Sequence, residues 1–404
     1  MSVLRNGAVT AGVIGLLWAF VIAVTVAVTL SFASGLGFRP GALGCVILGV
    51  GGGLALIYLR AVPFLLAGFV AVSVVLMFTP LSPMQFTDGV PLGWQVLSVV
   101  AFGVFTLWPM RVMLVEAHPG DLTRHAFEDA VIRFLTGFGY IVFTAAVLIP
   151  FYVMVMTSLK SQQALLKNPL DFSIDLSRGL DLFRSYFELF GQFNFGSYLW
   201  TSFYVSVLTV LITLAFSVPG AYAVARLRFK GRAAFSRSIL LIYMVPMIVL
   251  ALPIYIAFSM TGLRNTFVGI ILIYPVTTIP VALYMLQGYF RGLPSEVEEA
   301  GLMDGLNRLA VIWKITLPLS LPALASVSLY VFMIAWNEFL LAFMLLDDPS
   351  KFTLTRGIAS LNSSEIPRQH LMAGSVVATV PIMIIFLGLE RFMTKGLTAG
   401  SVKG

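Results

Sequence analysis

The sequence predicts an all-α membrane protein of about ten transmembrane helices, on three observations. The chain of 404 residues is 59% hydrophobic and 11% charged, with a mean hydropathy of +0.97, which excludes a soluble globular domain. Its apolar runs reach the length of about 20 residues that crosses a hydrocarbon core. They do not alternate in polarity, so their backbone polar groups are satisfied as helices and not as a barrel.

Ten runs follow in order, at about 9–33, 41–60, 62–80, 94–114, 137–157, 197–222, 238–260, 266–287, 319–344 and 371–390. The first exceeds the roughly 7–15 apolar residues of a signal peptide, and Phe32-Ala33-Ser34-Gly35 makes a poor cleavage site, so it reads as a retained anchor. The second carries Gly49, Gly51, Gly52 and Gly53, which suit close helix packing. It also holds the lone Cys45, so no intrachain disulfide forms. Arg60 alone separates the second run from the third. After the fourth, residues 116–136 mix Asp121, Arg124, Glu128, Asp129 and Arg133 and read as a short cytoplasmic amphipathic linker.

Between the fifth and sixth runs lies an extracytoplasmic segment from Lys160 to Gly196, rich in Phe183, Tyr186, Phe187, Phe190, Phe193 and Phe195. Stacking on sugar rings is one reading of these aromatics. Packing of a short amphipathic helix against the membrane surface is the favoured one. Prolines recur in the later runs at 219, 246, 253, 275, 280 and 381, where each frees a carbonyl for a neighbour or water. Pro246 and Pro253, seven apart, are expected on nearly one helix face and are candidates for gating. Glu338 falls inside the ninth run, where a charge costs at least about 2.5 kcal/mol and must face protein or a cavity. It is either a substrate or gating contact or, the favoured reading, a structural acceptor for donors of adjacent helices.

Orientation follows from Lys and Arg. With the N-terminus cytoplasmic, the inside loops hold 16 basic and 9 acidic residues and the outside loops 9 and 8. Arg226, Arg228, Lys230, Arg232 and Arg237 form the densest basic cluster. In a short loop between runs this is a positive-inside signal and not a nucleic-acid patch. No Gly-x-x-x-x-Gly-Lys-Ser/Thr is present to bind nucleotide phosphates. The histidines at 118, 125 and 370 are too scattered to suggest a metal cluster.

Residues 294–318 form a polar insert between two apolar runs. Ser295 and Glu298 are spaced as a capping box behind Pro294. Glu296, Glu298 and Glu299 fall in a first turn, where the helix dipole favours negative charge. Ala300 and Gly301 leave a bare patch for a partner backbone. Gly305 suits a left-handed exit from the helix, and Pro318 suits the first turn of the next one.

The insert resembles the EAA loop of importer-type ABC permeases, with Glu299, Ala300, a small residue at Gly301, then Gly305, Ile315, Leu317 and Pro318 at the family spacing. Gly301 departs from the usual Ala. The resemblance implies a cytoplasmic helix seated on a separate ATPase, with Glu298, Glu299, Ala300, Gly301, Asp304, Gly305, Ile315, Leu317 and Pro318 as coupling residues. It extends over 137–404, which is similar to the smaller permease subunit of maltose-type carbohydrate importers. The stretch from Ile149-Pro150 to Lys160 carries it, as do Tyr222-Ala223-Val224-Ala225-Arg226, Phe229-Lys230-Gly231-Arg232, Trp336-Asn337-Glu338-Phe339 and the tail from Gly396 to Gly404.

The resemblance implies a six-helix type I importer core, its transmembrane domain at about 197–390. A four-helix bundle at 1–115, absent from the typical short subunit, precedes it. Gly396, Thr398, Gly400 and Lys403 of the tail are expected against the ATPase. Trp336, Asn337 and Glu338 join Pro246 and Pro253 as pathway or gating candidates. Expected partners are a second permease, two ABC ATPase subunits carrying ATP and magnesium, an extracytoplasmic substrate-binding protein and the lipid bilayer, with no nucleic acid. No cofactor or metal is expected in this chain, which is read as a transport subunit and not an enzyme. It would import a sugar or related polar solute through the bacterial inner membrane, both termini cytoplasmic. The alternative is an ion-coupled secondary transporter, which predicts inverted repeats and paired midplane acids; only Glu338 qualifies as such an acid.

Overall fold

A computed structural model of the chain describes residues 5–59, 62–168, 171, 173–363 and 365–398, with the backbone alone at 62, 63, 176, 240, 242, 243 and 389–398. These residues form two compact units, Met1–Leu182 and Phe183–Gly404.

The first unit contains α1 (Gly7–Ser34), β1 (Phe38–Pro40), α2 (Ala42–Leu59), α3 (Val62–Leu76), β2 (Met84–Phe86), α4 (Leu92–Met113), α5 (Arg124–Ser158) and α6 (Gln162–Lys167). The Asn6 side chain caps α1 by accepting from the Ala8 amide at 3.0 Å. α1 and α2 approach so closely that a Cβ on Gly15 would lie 2.1 Å from the Gly49 carbonyl oxygen, and one on Gly53 2.2 Å from that of Ala11. Gly52 lies against the Phe69 ring, whereas Gly51 faces open space and takes no part in the expected packing. Trp18, Phe102, Met84 and Met110 lie in the core. β1 and β2 pair antiparallel, Phe38 opposite Phe86.

Thr123 caps α5 by accepting from the Ala126 amide at 3.2 Å. The helix then runs unbroken to Ser158, so the second half of the expected 116–136 linker is the start of a membrane-length helix. It is tied to the end of α4, since Arg133 donates to the Val112 carbonyl at 3.0 Å. Trp18 of α1 meets Phe134 edge-on at 6.3 Å. The charged residues of 124–133 set the linker apart from the apolar run that follows, but Arg and Glu favour helix and no proline interrupts the segment. The compact units part between Leu182 and Phe183.

The second unit contains α7 (Arg184–Gln192), α8 (Phe195–Arg226), α9 (Arg232–Tyr243), α10 (Met247–Met260), α11 (Phe267–Gly292) and α12 (Ser295–Met303). There follow α13 (Arg308–Val311), one π-helical turn (Ile312–Thr316), α14 (Leu317–Leu319), α15 (Leu321–Asn337), α16 (Leu340–Leu345), α17 (Leu354–Ser360) and α18 (Arg368–Thr398). Ser202, Ser206, Thr209, Thr213 and Ser217 recur three or four apart on α8 and are all buried. Such small hydroxyl residues let helices approach and bond across. Thr213 meets Thr278 of α11 at 2.6 Å, and Ser202 accepts from the Leu354 amide at 2.7 Å.

Seven described helices are long and apolar enough to cross a membrane: α1, α2, α4, α5, α8, α11 and α18. An eighth span arises if 308–319 and α15 are joined across a 79° bend. The expected ten are reduced for identifiable reasons. Run 62–80 holds only the short apolar helix Phe64–Leu76. Run 238–260 is split, because Pro246 has no N–H to donate and disfavours helix in the residue before it. Pro246 precedes α10 as its cap, so it does not share a helix face with Pro253. Run 319–344 stops at Asn337, where Glu338 turns extended (φ −65°, ψ 123°).

Candidate functional site

The 294–318 insert folds as a helical hairpin. α12 ends at Asp304, whose amide donates to the Ala300 carbonyl at 2.9 Å, and Leu306 N–H reaches back to Gly301 at 3.1 Å. Gly305 has φ +85°, the left-handed exit expected of it. The Asn307 side chain caps α13 by accepting from the Ala310 amide at 2.8 Å, a signal visible in the sequence and overlooked.

Two expectations are corrected at the start of the hairpin. The cap of α12 is Pro294 and makes no side-chain cap bond, so the Ser295–Glu298 capping box does not form. Glu298 turns inward and is 8% exposed. Its carboxylate accepts from Tyr222 Oη at 3.2 Å and Thr316 Oγ1 at 3.0 Å, and Arg226 Nε lies 3.5 Å away. Gly301 is also buried, where a Cβ would meet Ile315 Cδ1 at 2.4 Å. Its small size closes the hairpin on itself and offers no bare patch to a partner.

What the hairpin presents outward is a mixed surface. Glu299, Ala300, Asp304, Gly305 and Pro318 are exposed, while Ile315 and Leu317 are half-buried. Apolar side chains stand out from it: Met303 is 89% exposed, Trp313 71% and Leu309 70%. Bare apolar side chains on a charged loop mark an interaction surface better than they mark a solvated turn.

The remaining candidates are scattered. Trp336 is buried and donates Nε1–H to the Ala378 carbonyl at 3.1 Å, tying α15 to α18. Asn337 is exposed and bonds its own helix at Met333 O, 2.9 Å. Glu338 accepts from the amides of Leu341 at 2.8 Å and Ala342 at 3.0 Å, so it caps α16. The donors are thus mainly the amides that follow it in the chain. Pro246 and Pro253 are both exposed. Gly396 and Thr398 lie in the backbone of α18, while Gly400 and Lys403 fall outside the described residues.

Sequence reading missed a polar contact on the 160–196 segment. His370 Nε2 lies 2.8 Å from Glu188 Oε2, joining α7 to α18. Arg184, and after it His370, holds the Glu188 carboxyl below its usual range. Glu116, His125 and Asp129 bring ligand atoms within 4.8 Å of one another. Arg133 already pairs with Glu116 at 3.2 Å and Asp129 at 3.6 Å, so these carboxylates are engaged without an ion.

Comparison with known proteins decides the family. The family described as Binding-protein-dependent transport system inner membrane component matches residues 217–398. The chain is 38% identical over 270 residues to the inner membrane ABC transporter permease protein YcjP of Escherichia coli strain K12, covering 66% of this chain and 95% of that protein. The chain belongs to this permease family. It is also 34% identical over 281 residues to the trehalose/maltose transport system permease protein MalG of Thermococcus litoralis, covering 69% of this chain and 99% of that protein. A crystal structure of a bacterial ABC transporter involved in the import of the acidic polysaccharide alginate shares the fold, with TM-score 0.57 and 24% identity, covering 67% of this chain and 98% of that one.

The permease is therefore a multi-pass inner-membrane component of an ABC importer, working with other importer subunits and a substrate-binding protein. About a third of the chain lies outside these matches, in keeping with additional N-terminal helices. The ion-coupled alternative finds no support among the relatives.

Proposed function

We propose that the permease pairs with a second permease and is driven by two ABC ATPase subunits that carry the ATP and magnesium. It imports an oligosaccharide or related polar solute delivered by an extracytoplasmic binding protein. The observation that carries this reading is the match to nearly the whole length of a trehalose/maltose permease. Relatives described as arabinooligosaccharide and trehalose permeases support it too.

The hairpin of α12–α14 is the surface on which an ATPase docks. Its exposed Ala300, Met303, Leu309 and Trp313 supply the contact, and the tail residues Gly396, Thr398, Gly400 and Lys403 add to it. The chain itself hydrolyses no ATP, in line with the missing phosphate-binding loop. The basic residues of 226–237 and of the hairpin support a cytoplasmic face for this surface, and the reading puts both termini on the cytoplasmic side. α5 leaves Tyr140, Phe143, Val147 and Leu148 exposed, apolar surface for lipid or the second permease.

Reconstitution of the full importer in liposomes tests this. Labelled maltose or trehalose is expected to accumulate only with ATP and the binding protein present. Accumulation driven by an ion gradient without ATP would reverse the reading in favour of a secondary transporter.

A further inference from the structure

Tyr222 and Arg226 stand four residues apart at the end of α8, and so face the same side. That side meets Glu298, one turn into α12. Tyr222 donates to Oε2 at 3.2 Å, Thr316 donates to Oε1 at 3.0 Å, and Arg226 Nε sits 3.5 Å from Oε1. Arg226 also donates to the Leu293 carbonyl, just past α11, at 2.6 Å. Tyr222 is 3% exposed and Thr316 fully buried.

One buried charge is thus shared by the end of α8, the α11–α12 junction, α12 and the π-helical turn. A buried carboxylate is tolerated only with its partners in place, so the group has one favourable geometry, and removing a partner is strongly unfavourable. Apolar packing alone would let α12 slide or tilt on α8. By contrast, α8 meets α11 further along through hydroxyl contacts such as Thr213 with Thr278 and a long one from Ser217 to the Ile279 carbonyl at 3.4 Å. Such neutral bonds are individually weaker than charge-assisted ones. The helix packs on α11 along its length, with Leu283 and Leu286 of α11 in one core with Tyr222, and the ion pair adds a fixed register at its hairpin end.

We propose that Glu298 is a positioning residue, a pin that locks α12 to α8 so that displacement of the hairpin is passed to α8 as one rigid movement. Tyr222 and Arg226 of the Tyr-Ala-Val-Ala-Arg segment are its socket on α8, and Thr316 its partner within the hairpin. The inference rests on the reading that the hairpin carries the ATPase.

The test uses the complete reconstituted importer and two readouts, the ATPase subunits retained on purification and the ATP consumed per substrate imported. Glu298→Gln is expected to retain the ATPase and raise the ATP cost per substrate roughly tenfold, within the range of a coupling interaction. Tyr222→Phe and Thr316→Val, which keep the ion pair, should each raise it less. Exchanging the charges (Glu298→Arg with Arg226→Glu) should bring it back towards the original. An unchanged ratio in Glu298→Gln overturns the proposal. Loss of the ATPase from that variant does so too, since Glu298 would then serve docking. If Glu298→Gln does not fold, unchanged ratios in both Tyr222→Phe and Thr316→Val overturn it. The docking reading fails separately, if Ala300→Trp on the outer face keeps the ATPase bound and normally coupled.

Discussion

Glu338 uses both carboxylate oxygens on the amides of Leu341 and Ala342, so its charge is met within its own chain. Glu338→Ala leaves those amides without an acceptor and should destabilise the permease by about 1 kcal/mol or more, read as a lower melting temperature in detergent. A change in substrate affinity with unaltered stability would instead make it a pathway residue. Gly301 gives a second residue-scale prediction. A Cβ there presses only on the far end of the flexible Ile315 side chain, with Leu306 and Val311 in ordinary contact at 3.5 and 3.7 Å, and Ala in place of Gly favours helix by up to about 1 kcal/mol. Gly301→Ala should therefore be near neutral, and Gly301→Trp should disrupt the hairpin and abolish transport. Equal activity in the two would contradict the inward placement.

At the scale of elements, α7 is held to α18 by Glu188 and His370 at 2.8 Å, with Leu189 buried beneath it. Because Arg184 and His370 depress the Glu188 carboxyl, its contribution is present above the ordinary carboxylate value of 4.5. It is lost as the pH falls below that value, through the lowered one. Hydrogen exchange of α7 should accelerate in that acidic window, and Glu188→Gln should remove the pH dependence. The elements themselves were largely legible in the sequence, since apolar length alone locates α1, α2, α4, α5, α8, α11 and α18. What failed were their interruptions. Pro246 and Glu338 break two runs through backbone geometry, which hydropathy does not register. The 294–318 hairpin was legible as a motif, but the side to which each residue turns was not. Glu298 has the spacing of a capping box and is drawn inward by Tyr222, Arg226 and Thr316, two of them more than 70 residues away in sequence. Long-range partners of this kind leave no local signal.

At the scale of the whole molecule, we propose that α1–α4 form an accessory bundle outside the solute path, because their spans carry few polar side chains and a sugar route needs hydrogen-bonding groups. A chain beginning at residue 116 keeps the Thr123 cap and should assemble and retain some transport. One beginning at residue 130 cuts into α5 and should assemble less well. Full assembly of the chain beginning at residue 116 with no transport at all would place the bundle in the path. Orientation is open to labelling, with Leu180→Cys expected to react from outside spheroplasts and Lys230→Cys not. The central claim, that the 294–318 hairpin is the ATPase contact, is tested most directly by site-specific cross-linking. The sole native cysteine, Cys45, is buried, so the background is low. In the assembled importer Met303→Cys should cross-link to the ATPase subunit, and Gly301→Cys, turned inward, should not. Absence of any ATPase cross-link from Met303, Leu309 and Trp313 replaced in turn by cysteine would contradict the account.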